Sequence, residues 1–200
     1  MYNGYDEEDF KEIPKINNKN VIMRYIGNFY GHQSPKYFIT ALELLANKGK
    51  LPQNIKFEFI GNYHHSILNI LNKSSIADKI KIIHQVSHKE AIELMIDSDG
   101  LLIFVAQHRG KNVITGKLLE YLRCQKPVFA MIPLEGEAAK ILKQAGHHFI
   151  VPMEDPKLIA ERFSAFIMNL EYVENEKIFT DHYSRDKQTK AFLKILEMKI

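Results

Sequence analysis

The feature that most constrains this chain is an alternation of short apolar runs with segments of helical spacing. Val21–Ile26 (VIMRYI) stops at Gly27, and residues 56–60 (KFEFI) stop at Gly61. Residues 80–84, 101–105 (LLIFV), 127–132 and 148–151 continue the series. Between the first two runs, Phe38, Ala41, Leu42 and Leu45 fall at i, i+3, i+4 and i+7, one face of a helix entered at Pro35 and ended at Gly49. Further helices are expected over 66–72, 117–123 and 136–145. Another opens at Ser87-His88-Lys89-Glu90, which has the form of a capping box, and carries Ala91, Leu94 and Met95 on one side. Asp155-Pro156 caps a longer helix with Ile159, Phe163, Phe166, Ile167 and Leu170 inside. A last amphipathic helix is expected over 186–198, with Phe192, Ile195 and Leu196 facing inward. Strand and helix repeating with short connections make βαβ units, hence an α/β fold with a doubly wound parallel sheet of about six strands. The wholly apolar LLIFV suits a central strand buried on both faces. Residues 1–20, with turn signals at Asn3-Gly4 and Asn17-Asn18-Lys19-Asn20, read as a lead-in, and residues 21–200 as one domain.

Composition narrows the function. The chain has 27 basic and 24 acidic residues, a net charge of +3, which is too balanced to argue for a nucleic-acid partner yet allows a local pocket for an anion. Its one cysteine, Cys124, excludes an internal disulfide and fits a reducing, cytoplasmic compartment. The acidic start MYNGYDEEDF is neither a signal nor a transit peptide, and no stretch approaches the roughly 18 apolar residues of a membrane span. No metal site is expected. His64-His65 and His147-His148 are adjacent pairs whose rings diverge. His84 and His88 have the spacing of half a zinc site, without a cysteine pair. Asp6-Glu7-Glu8-Asp9 reads as a solvated segment, and Cys124 as a packed thiol. Ser/His/Asp catalysis has no support, because no Gly-x-Ser-x-Gly elbow is present.

In doubly wound sheets ligands sit at the carboxyl ends of the strands, where helix N-termini point. After the first strand, Gly27-Asn28-Phe29-Tyr30-Gly31 brings two glycines four apart. This is a plain turn or a close approach to phosphate, and it is neither a dinucleotide fingerprint nor a P-loop. After the fourth strand a polar loop holds Arg109, Lys111 and Asn112, and a helix begins at Thr115-Gly116-Lys117. Free amides at that helix start, with Arg109, Lys111 and Lys117 nearby, make a cradle for a diphosphate. Glu120, one turn on in an apolar segment, can accept two hydrogen bonds from a vicinal diol, or pair with Lys117, or lie on a solvated face. The residues alone leave these open.

The segment GKLLEYLRCQKPVFAMIP resembles the K-L-[FY]-E-Y-L-A-x-G-K-P-V stretch of GT-B glycosyltransferases of the family 4 (group 1) type. Other segments agree in order. NGYDEEDF resembles their inter-domain hinge, and YIGNFYGHQSPKYFITAL the first strand and helix. FEFIGNY is similar to the second strand, and IKIIHQVSHKEAIELMIDSDGLLIF to the nucleobase-loop region. PLEGEAAKILKQAGHHFIVPMED is similar to the closing segment. The resemblance runs from Asn3 to about Leu196. It implies a Rossmann-like sheet forming the C-terminal, donor-binding half of a GT-B fold, with an acceptor domain preceding Asn3 in a longer protein.

By that resemblance, Glu120 holds the donor ribose, and the amides of Thr115 and Gly116 meet the diphosphate. Gly27 and Asn28 line the same cleft, and His84-Gln85-Val86 read a uracil edge. Many members carry a second glutamate eight positions before the ribose glutamate; here Asn112 stands there, able to bond a hydroxyl but not to stabilise positive charge. The family's usual cations after the first two strands are missing, so Arg109, Lys111 and Lys117 would supply the charge. The implied activity is metal-independent sugar transfer from a nucleoside diphosphate sugar, with retention, in surface polysaccharide or glycoconjugate synthesis. Arg109, Asn112 and Lys117 would act at the reacting centre. The donor half alone would transfer nothing. A non-catalytic nucleotide-sugar-binding module and an epimerase or phosphorylase half are the alternative uses of the same fold.

Overall fold

Each apolar run becomes a strand because its β-branched and aromatic residues bury well on both faces of a pleated surface. A computed structural model describes residues 4–10, 19–106, 114–170 and 183–197. The strands are β1 (Val21–Ile26), β2 (Ile55–Ile60), β3 (Ile80–Ile83), β4 (Gly100–Phe104), β5 (Val128–Met131) and β6 (Ile150–Val151). They form one six-stranded sheet in the order β3-β2-β1-β4-β5-β6, and every pairing is parallel. The order reverses between β1 and β4. β1 and β2 match residue for residue, from Val21 opposite Ile55 to Ile26 opposite Ile60. The central β4 and β5 are buried along their whole length, whereas the edge strand β3 is not.

The helices are α1 (Lys36–Asn47), α2 (His65–Asn72), α3 (His88–Ile96), α4 (Gly116–Arg123), α5 (Glu137–Gln144), α6 (Pro156–Met168) and α7 (Arg185–Glu197). Two apolar layers flank the sheet. One gathers Phe38, Phe57, Phe104, Phe129, Phe163 and Phe166 under α1, α2 and α6. The other joins α3, α4 and α5 through Met95, Leu119, Tyr121 and Leu142. The expected caps form. Ser87 Oγ accepts from the Glu90 amide while Glu90 Oε2 accepts from the Ser87 amide at 2.9 Å, and Asp155 Oδ1 accepts from the Lys157 and Leu158 amides.

One charge lies inside this framework. Arg24, in the middle of β1 and 5% exposed, donates to Glu58 of β2 at 2.7 Å. It also donates to Asp97 at 3.2 Å and to the Leu94 carbonyl at 2.9 Å, at the end of α3. The guanidinium thereby ties two strands to the helix behind them.

Two expectations need correction. α7 does not turn its apolar residues inward: Phe192 and Ile195 are 50% and 55% exposed. Helical spacing shows that a helix has an apolar face, but not that a partner exists to cover it. The Leu196 side chain lies outside the described residues. The acidic lead-in is not simply solvated either. Tyr5 is buried and pairs with the stretch before α7, its amide donating to the Tyr183 carbonyl at 3.2 Å. Asp6 then meets Arg185 at 2.6 Å, Glu7 meets Arg123 at 2.7 Å and Asp9 meets His88 at 3.2 Å. No helix among the described residues is long and apolar enough to cross a membrane.

Candidate functional site

The carboxyl ends of β1, β2 and β3 and the start of α4 meet at one edge, beside the point where the strand order reverses. The chain leaves β1 at Gly27 and β2 at Gly61, and the two turns touch. A Cβ on Gly61 would sit 2.7 Å from the Gly27 carbonyl oxygen. Gly27 has φ +132°, and a Cβ there would collide with the Lys117 ammonium. Only glycine leaves both the backbone and this lysine room. Asn28 Oδ1 accepts from the Asn62 amide at 2.7 Å, and the Asn62 side chain donates to Gln85 at 2.9 Å. This polar chain ties together the ends of β1, β2 and β3.

Lys117 enters the same edge from the first turn of α4. Its ammonium lies 4.4 Å from the centre of the Tyr25 ring and donates to the Tyr25 hydroxyl at 3.2 Å. That hydroxyl donates in turn to the Asn28 carbonyl at 2.9 Å. Among the described residues no carboxylate lies within ion-pairing distance of Lys117. Burial brings its ammonium down to about 8, and the more distant Glu120 partly offsets this. A cation held in a poorly solvated place without an anion is a site that favours an incoming anion.

The start of α4 carries the same bias. Thr115 is its N-cap, but its side chain caps no amide, and its Oγ1 is buried without a partner among the described residues. No side chain among the described residues caps the leading N–H groups, and the positive end of the helix dipole lies at Thr115, beside the ends of the strands. One turn further, Glu120 is 20% exposed. Burial raises its carboxyl above the usual range; His88 and Arg185 draw it back, Asp9 adds to the rise and Lys117 opposes it. The helix puts its apolar side, Leu118, Leu119, Tyr121 and Leu122, into the core, which leaves Lys117 and Glu120 toward the edge.

The structure brings together Gly27, Asn28, Lys117 and, through Asn62, Gln85. It places Thr115, Gly116 and Glu120 on the adjoining helix. Val86 is turned toward the α3–α5 layer, and His84 is exposed just past the end of β3. Arg109, Lys111 and Asn112 lie outside the described residues. Sequence reasoning missed His88, Asp9 and Tyr25. Tyr25 reads as a core residue in the strand pattern. His88 and Asp9 are 79 positions apart, so nothing local signals their contact. Cys124 is a packed thiol at the end of α4, as expected, and burial pushes it up to about 12. No grouping of His, Cys, Asp and Glu suited to a metal occurs among the described residues. A separate depression of about 460 Å³, lined by Lys48, Lys50 and Lys157 among others, sits between α1 and α6 at the far end of α1, away from these groups.

The fold and this edge define a doubly wound α/β protein with an anion-receptive helix start at its strand ends. The chain belongs to the glycosyl transferases group 1 family, whose model matches residues 6–179. No curated protein matches the sequence. Among solved structures, Anabaena Alr3699/HepE in complex with UDP and glucose superposes with a TM-score of 0.70 at 14% identity, covering 99% of this chain and 56% of that one. The sucrose-phosphate synthase tll1590 of Thermosynechococcus elongatus gives 0.73 at 11% identity, covering 99% and 52%. The chain therefore spans about half the length of these structures. These likenesses establish the fold: a GT-B, Rossmann-like sheet with helices on both faces.

Proposed function

We propose that the chain is the donor-binding half of a glycosyltransferase that takes a sugar from a nucleoside diphosphate sugar, with UDP as the nucleotide. The observation that carries this is Lys117, a partly buried ammonium lying against Tyr25 and Gly27 without a carboxylate partner among the described residues, beside the start of α4, where the Thr115 side chain caps no amide. A diphosphate set there meets the helix amides and the ammonium together. In this reading Glu120, one turn along, accepts both hydroxyls of the ribose, and Gln85, linked through Asn62 to Asn28, meets the base. UDP in the HepE structure supports the choice of nucleotide.

Departure of the diphosphate builds negative charge on its oxygens. Fixed amides and an ammonium at that point stabilise this charge without a metal, and losing one such donor lowers the rate by about 100-fold. Transfer with retention and a role in surface polysaccharide or glycoconjugate synthesis are supported by the resemblance of 117–127 to family 4 enzymes, and a cytoplasmic location by the single cysteine. The acceptor and any catalytic base belong to a preceding acceptor domain, so this chain alone binds donor and transfers nothing. The second reading, a binding module without transfer, draws on Asn112 standing where many relatives have a glutamate.

Calorimetric titration with UDP, GDP and UDP-glucose tests the proposal. UDP and UDP-glucose should bind and GDP should bind more weakly, with affinity falling in Glu120→Ala. Equal binding of all three, or binding indifferent to Glu120, would defeat it. Joining an acceptor domain to the chain and assaying transfer separates the two readings.

A further inference from the structure

Glu120 does not face the cleft alone. His88, the first residue of α3, places its Nε2 4.0 Å from Glu120 Oε1 and 3.2 Å from Asp9 Oδ2. Asp9 as a carboxylate only accepts, so Nε2 carries the proton and donates to it. Both ends of this contact are anchored. The capping box of Ser87 and Glu90 fixes the turn from which His88 projects. Asp9 closes a short helical turn, Glu7–Asp9, which is held by buried Tyr5 and by the pairs Glu7–Arg123 and Asp6–Arg185. An imidazole so held stands between two carboxylates that would otherwise repel each other.

The consequence concerns the geometry of Glu120. A glutamate has three rotatable bonds, and gripping a vicinal diol requires the carboxylate to face both hydroxyls. The one Nε2–H goes to Asp9, and at 4.0 Å from Oε1 the ring makes no hydrogen bond to Glu120; it stands as a held neighbour that limits where the carboxylate can swing and leaves its lone pairs for the diol. We propose that His88, held by Asp9, is a positioning residue that aims Glu120 at the ribose hydroxyls and so sets the preference for a ribonucleotide over a deoxyribonucleotide donor. This rests on the reading that Glu120 grips the ribose. Among the described residues, four groups act on the Glu120 charge: His88 from α3, Asp9 from the lead-in, Arg185 from α7 and Lys117 from its own helix. Of those that favour the ionised carboxylate, His88 acts most strongly.

The test is calorimetric titration of the full 200-residue chain with UDP and with 2′-deoxy-UDP. The parent chain should prefer UDP by about tenfold, the worth of one hydrogen bond to a charged group. Glu120→Gln should reduce that preference to about twofold or less. His88→Ala should lower UDP affinity by about five- to tenfold and leave 2′-deoxy-UDP nearly unchanged. His88→Gln, whose amide reaches a similar position, should restore most of the preference, and Asp9→Ala should erode it in the same direction. Should His88→Ala fail to fold, the Asp9→Ala and His88→Gln ratios decide. A His88 or Asp9 variant that weakens both nucleotides equally, or leaves the ratio untouched, overturns the proposal while the ribose reading stands. A ratio indifferent to Glu120→Gln overturns the ribose reading itself.

Discussion

Two cations near the first strand sit in opposite circumstances. Arg24, in the middle of β1, has Glu58, Asp97, the Leu94 carbonyl and the Ser98 hydroxyl around its guanidinium. Lys117, at the carboxyl end of the same strand, has a phenol and an aromatic face. Both are removed from bulk water, but among the described residues carboxylates meet Arg24 and none meets Lys117. The difference separates a charge that holds the sheet to a helix from one that, under the proposed function, receives a ligand. Buried charges without partners are costly to a folded protein, so their presence at a strand edge marks function more reliably than charge count does.

The sharpest way to break this contrast is Arg24→Ala. It removes the guanidinium that Glu58 and Asp97 share, and should destabilise the chain by about 3–5 kcal/mol in urea unfolding. Lys117→Met should do the reverse: no loss of stability, because an unpaired ammonium goes with it, and a fall of about 10- to 100-fold in UDP affinity by calorimetry. A Lys117→Met protein as unstable as Arg24→Ala would show that both cations are structural. Gly27→Ala should cost about 1–3 kcal/mol in thermal unfolding, from its left-handed φ and the clash with Lys117, and should weaken UDP binding as the lysine is displaced.

The smallest effect is on pH. The Lys117 ammonium is lowered from 10.5 to about 8 in the folded chain. Between pH 8 and 10.5 the unfolded chain holds the proton that the folded chain has released, so this group makes stability rise with pH across that window. UDP affinity should move the other way, steady below pH 8 and falling above it, because the charged form receives the diphosphate. Near pH 8 binding should be accompanied by proton uptake, seen as a dependence of the binding heat on the buffer's ionisation enthalpy. Lys117→Met should abolish it.

Much of the fold is legible in the chain because parallel strands leave a local signal. LLIFV, VIMRYI and KFEFI each announce a buried strand, and the structure moves their ends by one residue at most. The Ser87 capping box and the Asp155 cap are equally local, and both form. The errors fall where the deciding partner is remote. Phe192 and Ile195 have the spacing of a core face, yet no described element covers them. The acidic run at 6–9 looks solvated until Arg185, Arg123 and His88 arrive from 179, 116 and 79 positions away. At the site, Glu120 and Lys117 stand out as polar residues in an apolar helix. That Lys117 would cross above Gly27 and rest on Tyr25 depends on how α4 meets β1, which no spacing encodes. Arg109, Lys111 and Asn112 lie outside the described residues, and their roles rest on the sequence.

Under the proposed function, α4 holds a nucleoside diphosphate by two separate grips, Lys117 on the phosphates and Glu120 on the ribose. Calorimetric titration of the parent chain, Lys117→Met and Glu120→Gln with UDP and with uridine tests it most directly. UDP should bind the parent chain far more tightly than uridine, Lys117→Met should remove most of this advantage without weakening uridine, and Glu120→Gln should weaken both ligands. UDP binding no tighter than uridine, or a UDP affinity unchanged by Lys117→Met, would contradict it.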